Sequence, residues 1–412
     1  MNEDPALSVP SSARGGPLTG VRIVDASTVL AGPYCTMVLA DLGADVVKVE
    51  PPEGDATRTW GPPWVGDEAA GTRTAAYFLA VNRNKRSVAL DLRTDGGRDV
   101  LRRLISGGDA LVENFRPGAF ASLGFGEVAL TELNPGLVHL AIGGYGVMGP
   151  DAGKPGYDFI IQATGGLMSI TGHADGGPTK VGVAISDVVA GLFGAISVLA
   201  GLMARPSAGG QRVDVSLLQS TLAVLVNQAQ NAFVSGRAPS RRGNAHPNIV
   251  PYETFATADG EIAVGIGSER QWPRFCEAVG VPELVSDARF ATNGDRVERR
   301  AELVPLLAAR FATATSAEWL TRLDAADVPA GPILDVLEAF TTPQAEALGS
   351  RVAMSHPALG RVDQVRSPFD FTSTPAEVRT PPPLLGEHTI DILEELGYGA
   401  EAIEELRRAR AI

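Results

Sequence analysis

The sequence predicts an α/β protein with a parallel sheet, joined to a smaller α+β unit. Three observations carry this. Strand-like and helix-like segments alternate from the first fifty residues onward, the order that β-α-β units require. The strand-like runs are apolar at successive positions, as in a sheet covered on both faces. Near residue 231 the pattern gives way to a polar loop, then resumes as a hairpin followed by helices.

The elements follow in order. Gly20–Ser27, "GVRIVDAS", is a short β-branched run and reads as a strand. Gly32–Ala44 has helical apolar spacing, with Pro33 in the first turn, where a missing N–H does no harm. Asp45–Pro52 is a second strand, stopped by two prolines. Arg86–Leu92 is a strand, and Asp95–Gly108 is an amphipathic helix with a glycine stop. Ala110–Phe115 and Gly136–Gly146 are further strands. Val181–Met203, "VGVAISDVVAGLFGAISVLAGLM", holds one charge, Asp187, and reads from Asp187 onward as a helix buried against the sheet. Gln211–Ser220 follows as strand then helix. Asn231–Asn248 is a polar loop, and Tyr252–Gly267 is a hairpin turning at Asp259-Gly260. Helical stretches come next, and from about Gly331 short β-like pieces close the chain. The expected divisions are a disordered leader over 1–16, a large domain over 17–225, a small domain with linkers over 226–330, and a C-terminal part over 331–412 that rejoins the large domain.

Composition narrows the function. The 412 residues are 44% hydrophobic and 20% charged, ordinary for a globular protein. A net charge of −13 argues against nucleic acid and anionic membranes as partners. Cys35 and Cys276 make no disulfide framework and suit a reducing cytoplasm. The N-terminus lacks the apolar region of a signal peptide. Val181–Met203 is long enough to span a bilayer, but no second such run exists and its flanks read as globular, so no membrane partner is expected. The histidines (His139, His173, His246, His356, His388) are never at metal spacing, and no metal is expected. "GYGVMG" (Gly144–Gly149) matches G-x-G-x-x-G, but Pro150, Gly153 and Pro155 deny it the helix that a dinucleotide site needs.

Asp187 remains. Local sequence allows two readings: a helix cap, or a buried carboxylate that attacks an activated acyl group.

The segments "LADLGADVVKVEPPEGD", "NRNKRSVALDL", "VENFRPG", "PGYDFIIQATGGLMSITG" and "VGVAISDVVAG" occur in this order. Together they make the chain resemble the class III CoA-transferases, a family that also holds the α-methylacyl-CoA racemases. Its look is nearest the succinyl-CoA:glutarate branch. The resemblance implies a Rossmann-like large domain built from both chain ends and a homodimer of interlocked rings. It makes Asp187 the nucleophile, forming an aspartyl-acyl anhydride and then an aspartyl-CoA thioester. Coenzyme A and acyl-CoA enter as substrates, with no tightly bound cofactor. Val29, Leu30, Ala31, Lys85, Asn114, Phe115 and Arg116 are the implied CoA contacts. Arg58, Trp60, Tyr157, Asp158, Arg242 and His246 are the implied acyl contacts, and the arginines suit a dicarboxylate. Tyr157 stands where the racemases carry His, and a neutral phenol is a poor α-proton base. The alternatives are a racemase or isomerase on the same scaffold, and a catalytically silent CoA-binding protein.

Overall fold

The computed structural model describes residues 15–412, so nearly all of the expected leader lies outside the described residues. Contacts divide the chain into two units. The first runs to Gly166 and takes in Val181–Ala229 and Gln344–Ile412; the second comprises Leu167–Lys180 and Gln230–Pro343. The divisions therefore differ from those expected: 226–229 stay with the first unit, 331–343 with the second, and 167–180 cross over to the second.

The first unit is built on six strands: β1 (Arg22–Ala26), β2 (Asp45–Glu50), β3 (Lys85–Ala89), β4 (Ala110–Glu113), β5 (Val138–Gly143) and β6 (Gln211–Ser216). Their order is β3-β2-β1-β4-β5-β6, and every neighbouring pair is parallel. Successive side chains of a strand point to opposite faces. Ile23, Val46, Val112 and Leu140 thus enter one core, while Val24, Val47, Leu111 and Val88 enter the other. That is why the strand runs look apolar throughout: both faces are covered. The first face carries α1 (Ala31–Asp41) through Cys35 and Leu39; the second carries α2 (Asp95–Ser106) through Val100, Leu101 and Leu104. Thr94 caps α2 by accepting from the Gly97 N–H, and Gly107 follows its last turn. Near the C-terminus, helix Thr389–Glu395 packs Ile392 and Leu393 into the second core.

Three more helices shape the site: α3 (Asp158–Thr164), α4 (Ile185–Ala208) and α5 (Leu217–Ala223). The expectation that α4 is buried holds for one face only. Ala190, Gly191, Gly194, Ala195, Val198 and Gly201 are buried, while Leu192, Phe193, Ile196 and Met203 are exposed. The helix is long and apolar enough to cross a membrane, yet its small-residue face packs on α1 and β5. The approach is close: a Cβ on Gly191 would lie 2.6 Å from the Ala31 carbonyl oxygen. The stretch expected as a polar loop from Asn231 starts instead inside a helix, Val226–Ser235.

In the second unit, β7 (Tyr252–Ala256) and β8 (Glu261–Gly265) form the expected hairpin, and β9 (Ala330–Pro332) adds an antiparallel third strand on β8. Helices α6 (Gln271–Val279), α7 (Arg300–Phe311) and α8 (Ser316–Ala325) cover it through Trp272, Phe275, Phe311 and Trp319.

Candidate active site

The strand order reverses direction between β1 and β4. In open parallel sheets, ligands bind at such a switch point, beyond the carboxyl ends of the strands. A cavity of about 460 Å³ lies there in the first unit. Its walls are Thr28–Ala31 after β1, Glu113–Gly118 at and after β4, Ile142–Gly144 of β5 and its exit, and Asp187.

Asp187 is the third residue of α4, and Ala184 before the helix makes no side-chain cap. Among the described residues the Asp187 carboxylate accepts no hydrogen bond. The cap comes from elsewhere. Asp158 Oδ1 accepts from the Ser186 N–H at 2.9 Å, and its Oδ2 accepts from Gln162 Nε2 at 2.8 Å. Gln162 Oε1 in turn accepts from the Val181 N–H at 2.9 Å. The carboxylate of Asp158 is thereby engaged within the protein, rather than free for an acyl group. Burial pushes the Asp187 carboxyl up to about 7, and the negative charge of Asp158 adds to the effect. Asp187 and Gly191 lie one turn apart on one helix face. The contact of Gly191 with Ala31 therefore brings Asp187 to the loop after β1.

That loop is held firmly. Val29 has a φ of +72°, an outlier for a β-branched residue. Asn114 accepts from the Thr28 N–H at 2.9 Å and donates to the Thr28 carbonyl at 2.7 Å, tying the ends of β1 and β4 together. Of the expected CoA contacts, Val29, Leu30, Ala31, Asn114, Phe115 and Arg116 all line the cavity. Phe115 stacks on Phe120 and Phe120 on Phe125, each at 5.0 Å, forming an aromatic wall. Arg116 is exposed and has no ion-pair partner among the described residues.

Lys85 departs from expectation. It is fully buried, and its Nζ donates to Asp25 Oδ2 (3.0 Å), the Pro33 carbonyl (2.8 Å) and Asn82 Oδ1 (2.9 Å), so it does not line the cavity. Burial lowers its ammonium to about 8 against the pull of Asp25. Arg58 departs likewise. It is buried over the Phe78 ring, and its Nε and Nη2 fork onto Glu50 at 2.8 and 2.7 Å. A charged fork closed inside the protein is not available to a substrate carboxylate. Sequence alone shows two cationic side chains but not the buried acids beneath them.

Tyr157 precedes α3, is exposed and lines the cavity. Trp60 does not line it; its ring is exposed and meets Tyr77 edge-on at 5.3 Å. Tyr77, which sequence reading missed, is near Asp187: burial raises its phenol, and Asp187, Asp158 and Asp55 raise it further. Within "AAYFLAV" it reads only as one more apolar residue. Phe120 and Phe125 of the cavity wall were missed for the same reason. Arg242 and His246 belong to the second unit. Arg242 is exposed, and His246 Nδ1 accepts from the Asn248 N–H at 3.1 Å. Burial, and then the Arg300 charge, lower the His246 imidazole. Glu253 pairs with Arg300 at 2.9 Å.

"GYGVMG" opens no helix; Gly144 instead lies against Gly156, where a Cβ would meet the Gly156 Cα at 2.7 Å. Among the described residues no three His, Cys, Asp or Glu side chains form a group that could hold a metal ion.

Residues 18–389 match CoA-transferase family III. The chain is 42% identical over 385 residues to a succinate–glutarate CoA-transferase of Agrobacterium fabrum, covering 93% of this chain and 96% of the relative. It is 39% identical over 399 residues to the human succinyl-CoA:glutarate CoA-transferase, covering 96% and 90%. Among solved structures, a CAIB/BAIF family protein from Brucella suis superposes with a TM-score of 0.82 at 41% identity, over 93% of this chain and all of that one. With that match spanning both units, the chain belongs to CoA-transferase family III and is an enzyme of that class, a transferase that acts on CoA thioesters.

Proposed function

We propose that the enzyme moves CoA from succinyl-CoA to a second dicarboxylate such as glutarate, with Asp187 as covalent nucleophile. One observation carries the mechanism: the Asp187 carboxylate faces the switch-point cavity with raised basicity and no hydrogen-bond partner among the described residues, because Asp158 caps its helix. An unengaged, poorly hydrated carboxylate is the more reactive one.

An Asp187 oxygen attacks the thioester carbonyl, the C–S bond breaks, and CoA leaves as thiolate. The product is a mixed anhydride. The thiolate then attacks the Asp187 carbonyl of the anhydride and expels succinate, leaving an aspartyl-CoA thioester. The acceptor carboxylate attacks that thioester and releases the thiolate again. Attack of the thiolate on the acceptor's carbonyl then yields the new acyl-CoA and free Asp187. Each intermediate is itself an acyl donor, so no ATP is needed. The loop Val29–Ala31 and the ring of Phe115 meet the CoA chain, and unpaired Arg116 meets its phosphates.

The dicarboxylate preference is supported by the names of the relatives. With Arg58 closed on Glu50, Arg242 is the expected acyl-site arginine left without an ion-pair partner among the described residues. The exposed Leu192, Phe193, Ile196 and Met203 on α4 support burial against a second copy in an interlocked homodimer. Cys35 and Cys276 are free and buried, which fits a cytoplasmic enzyme.

The test is intact-protein mass spectrometry of wild type and Asp187→Asn after mixing with succinyl-CoA, followed by hydroxylamine. An acyl- or CoA-sized adduct on wild type alone, removed by hydroxylamine, is expected. Turnover without any adduct, or an adduct on Asp187→Asn, refutes the covalent role.

A further inference from the structure

Beneath the loop after β1 lies a cluster of buried charges that the mechanism above does not use. Lys48 and Asp55 are both fully buried and meet at 3.0 Å. Each also grips the loop. Lys48 Nζ donates to the Ser27 carbonyl at 2.9 Å, and both oxygens of Asp55 accept from the Val29 N–H, at 3.2 and 3.4 Å. Asp55 is fixed in turn by the Thr57 N–H and hydroxyl at 2.9 and 2.7 Å. The pair therefore holds the two ends of Ser27–Val29, just where the backbone is strained.

Left-handed backbone at a β-branched residue persists only where its surroundings over-determine it. Here Val29 N–H is bound, whereas the N–H groups of the next two residues, Leu30 and Ala31, have no acceptor among the described residues. Both residues line the cavity that Asp187 faces. Free backbone N–H groups fixed beside a nucleophile are placed to receive an acyl oxygen as it gains charge.

We propose that Asp55, locked by Lys48, is a positioning residue for the transfer reaction: it holds Val29 in the left-handed conformation and so aims the Leu30 and Ala31 N–H groups at the acyl carbonyl. This rests on the transferase reading above.

The test is Asp55→Asn in two backgrounds, wild type and Val29→Gly. Glycine adopts a positive φ without strain, so a loop carrying it depends less on the grip. Expected is a kcat loss on Asp55→Asn of about 30-fold in the wild-type background, falling to about threefold or less in the Val29→Gly background, a non-additivity that a merely structural role would not produce. Equal losses in both backgrounds overturn the proposal. Should Asp55→Asn fail to fold because Lys48 is left as an unpaired buried charge, Lys48→Met/Asp55→Asn removes both charges and is measured in the same two backgrounds.

Hydrogen exchange of the Ser27–Pro33 peptide reads the grip independently of any substrate. Faster exchange in the Asp55-substituted protein with Val29 retained supports the grip, and unchanged exchange overturns it. Absence of succinyl-CoA transfer by wild type would instead count against the substrate reading.

Discussion

Replacing Asp187 by Asn should make the folded protein more stable at pH 8 while abolishing transfer. The carboxyl is raised to about 7, first by burial and then by Asp158. In an unfolded chain the same group titrates near 3.8. Between these values the native state binds the proton more tightly, so the wild type loses stability as pH rises from about 4 to about 7, and nothing further above that. The span sets a ceiling of ~4 kcal/mol. Asp187 is partly exposed and keeps some water, which reduces the expected effect to about 1–2 kcal/mol. An opposing contribution from the helix N-terminus is smaller, about 0.3–1 kcal/mol. Urea unfolding of wild type and Asp187→Asn, at matched concentration from pH 3.5 to 8.5, reads this directly. The curves should coincide at the acid end and separate to favour Asn by about 1–2 kcal/mol at pH 8. If Asn is instead the less stable by about 1 kcal/mol at pH 8, the carboxylate caps its helix and is not the unengaged base described above.

Transfer should need the ionised Asp187, so kcat should rise with pH to a plateau, with a midpoint above the usual carboxylate range. Asp158→Asn keeps an oxygen for the Ser186 N–H but removes the neighbouring charge, and should move that midpoint down by about half a pH unit; an unmoved pH–rate profile refutes the coupling. Gly191→Ala places a Cβ 2.6 Å from the Ala31 carbonyl oxygen and should destabilise by about 1–3 kcal/mol and lower kcat, checked by urea unfolding and initial rates. Arg58→Met leaves Glu50 buried without its partner and should cost about 3–5 kcal/mol of stability. A well-folded Arg58→Met enzyme with only a raised KM for the acceptor acid would restore Arg58 to the substrate.

The parts of this protein that were legible in its sequence are those governed by local periodicity. The run Arg22–Ala26, the helix after it and the alternation through Gln211–Ser216 follow from side-chain spacing alone, and the parallel sheet follows from them. The loop residues Val29–Ala31 and Asn114–Arg116 came from family resemblance, and they converge because β1 and β4 are neighbours across the reversal of strand order. What sequence could not show is pairing at long range. Lys85 and Arg58 look like exposed cations until Asp25 and Glu50 are seen beneath them. Asp158 looks like a substrate contact until the α4 N-terminus is found against it. The crossing of 167–180 to the second unit has no marker in composition, since it is set by which surface the segment packs on.

The glycine contact between α4 and the loop after β1 bears on how enzymes of this build can diversify. The Asp187 carboxylate, the proposed nucleophile, is fixed by a backbone-to-backbone approach one turn away, so nearly any side chain introduced at Gly191 displaces it. Tyr157, which lines the cavity, stands in the open and touches no such constraint. On the function proposed above, mutation can therefore explore new acids at the rim while the bond-making centre stays where it is. A rigid seam of this kind separates heritable change in selectivity from change in chemistry, and directed evolution toward other acyl acceptors should find its gains on the open side of it.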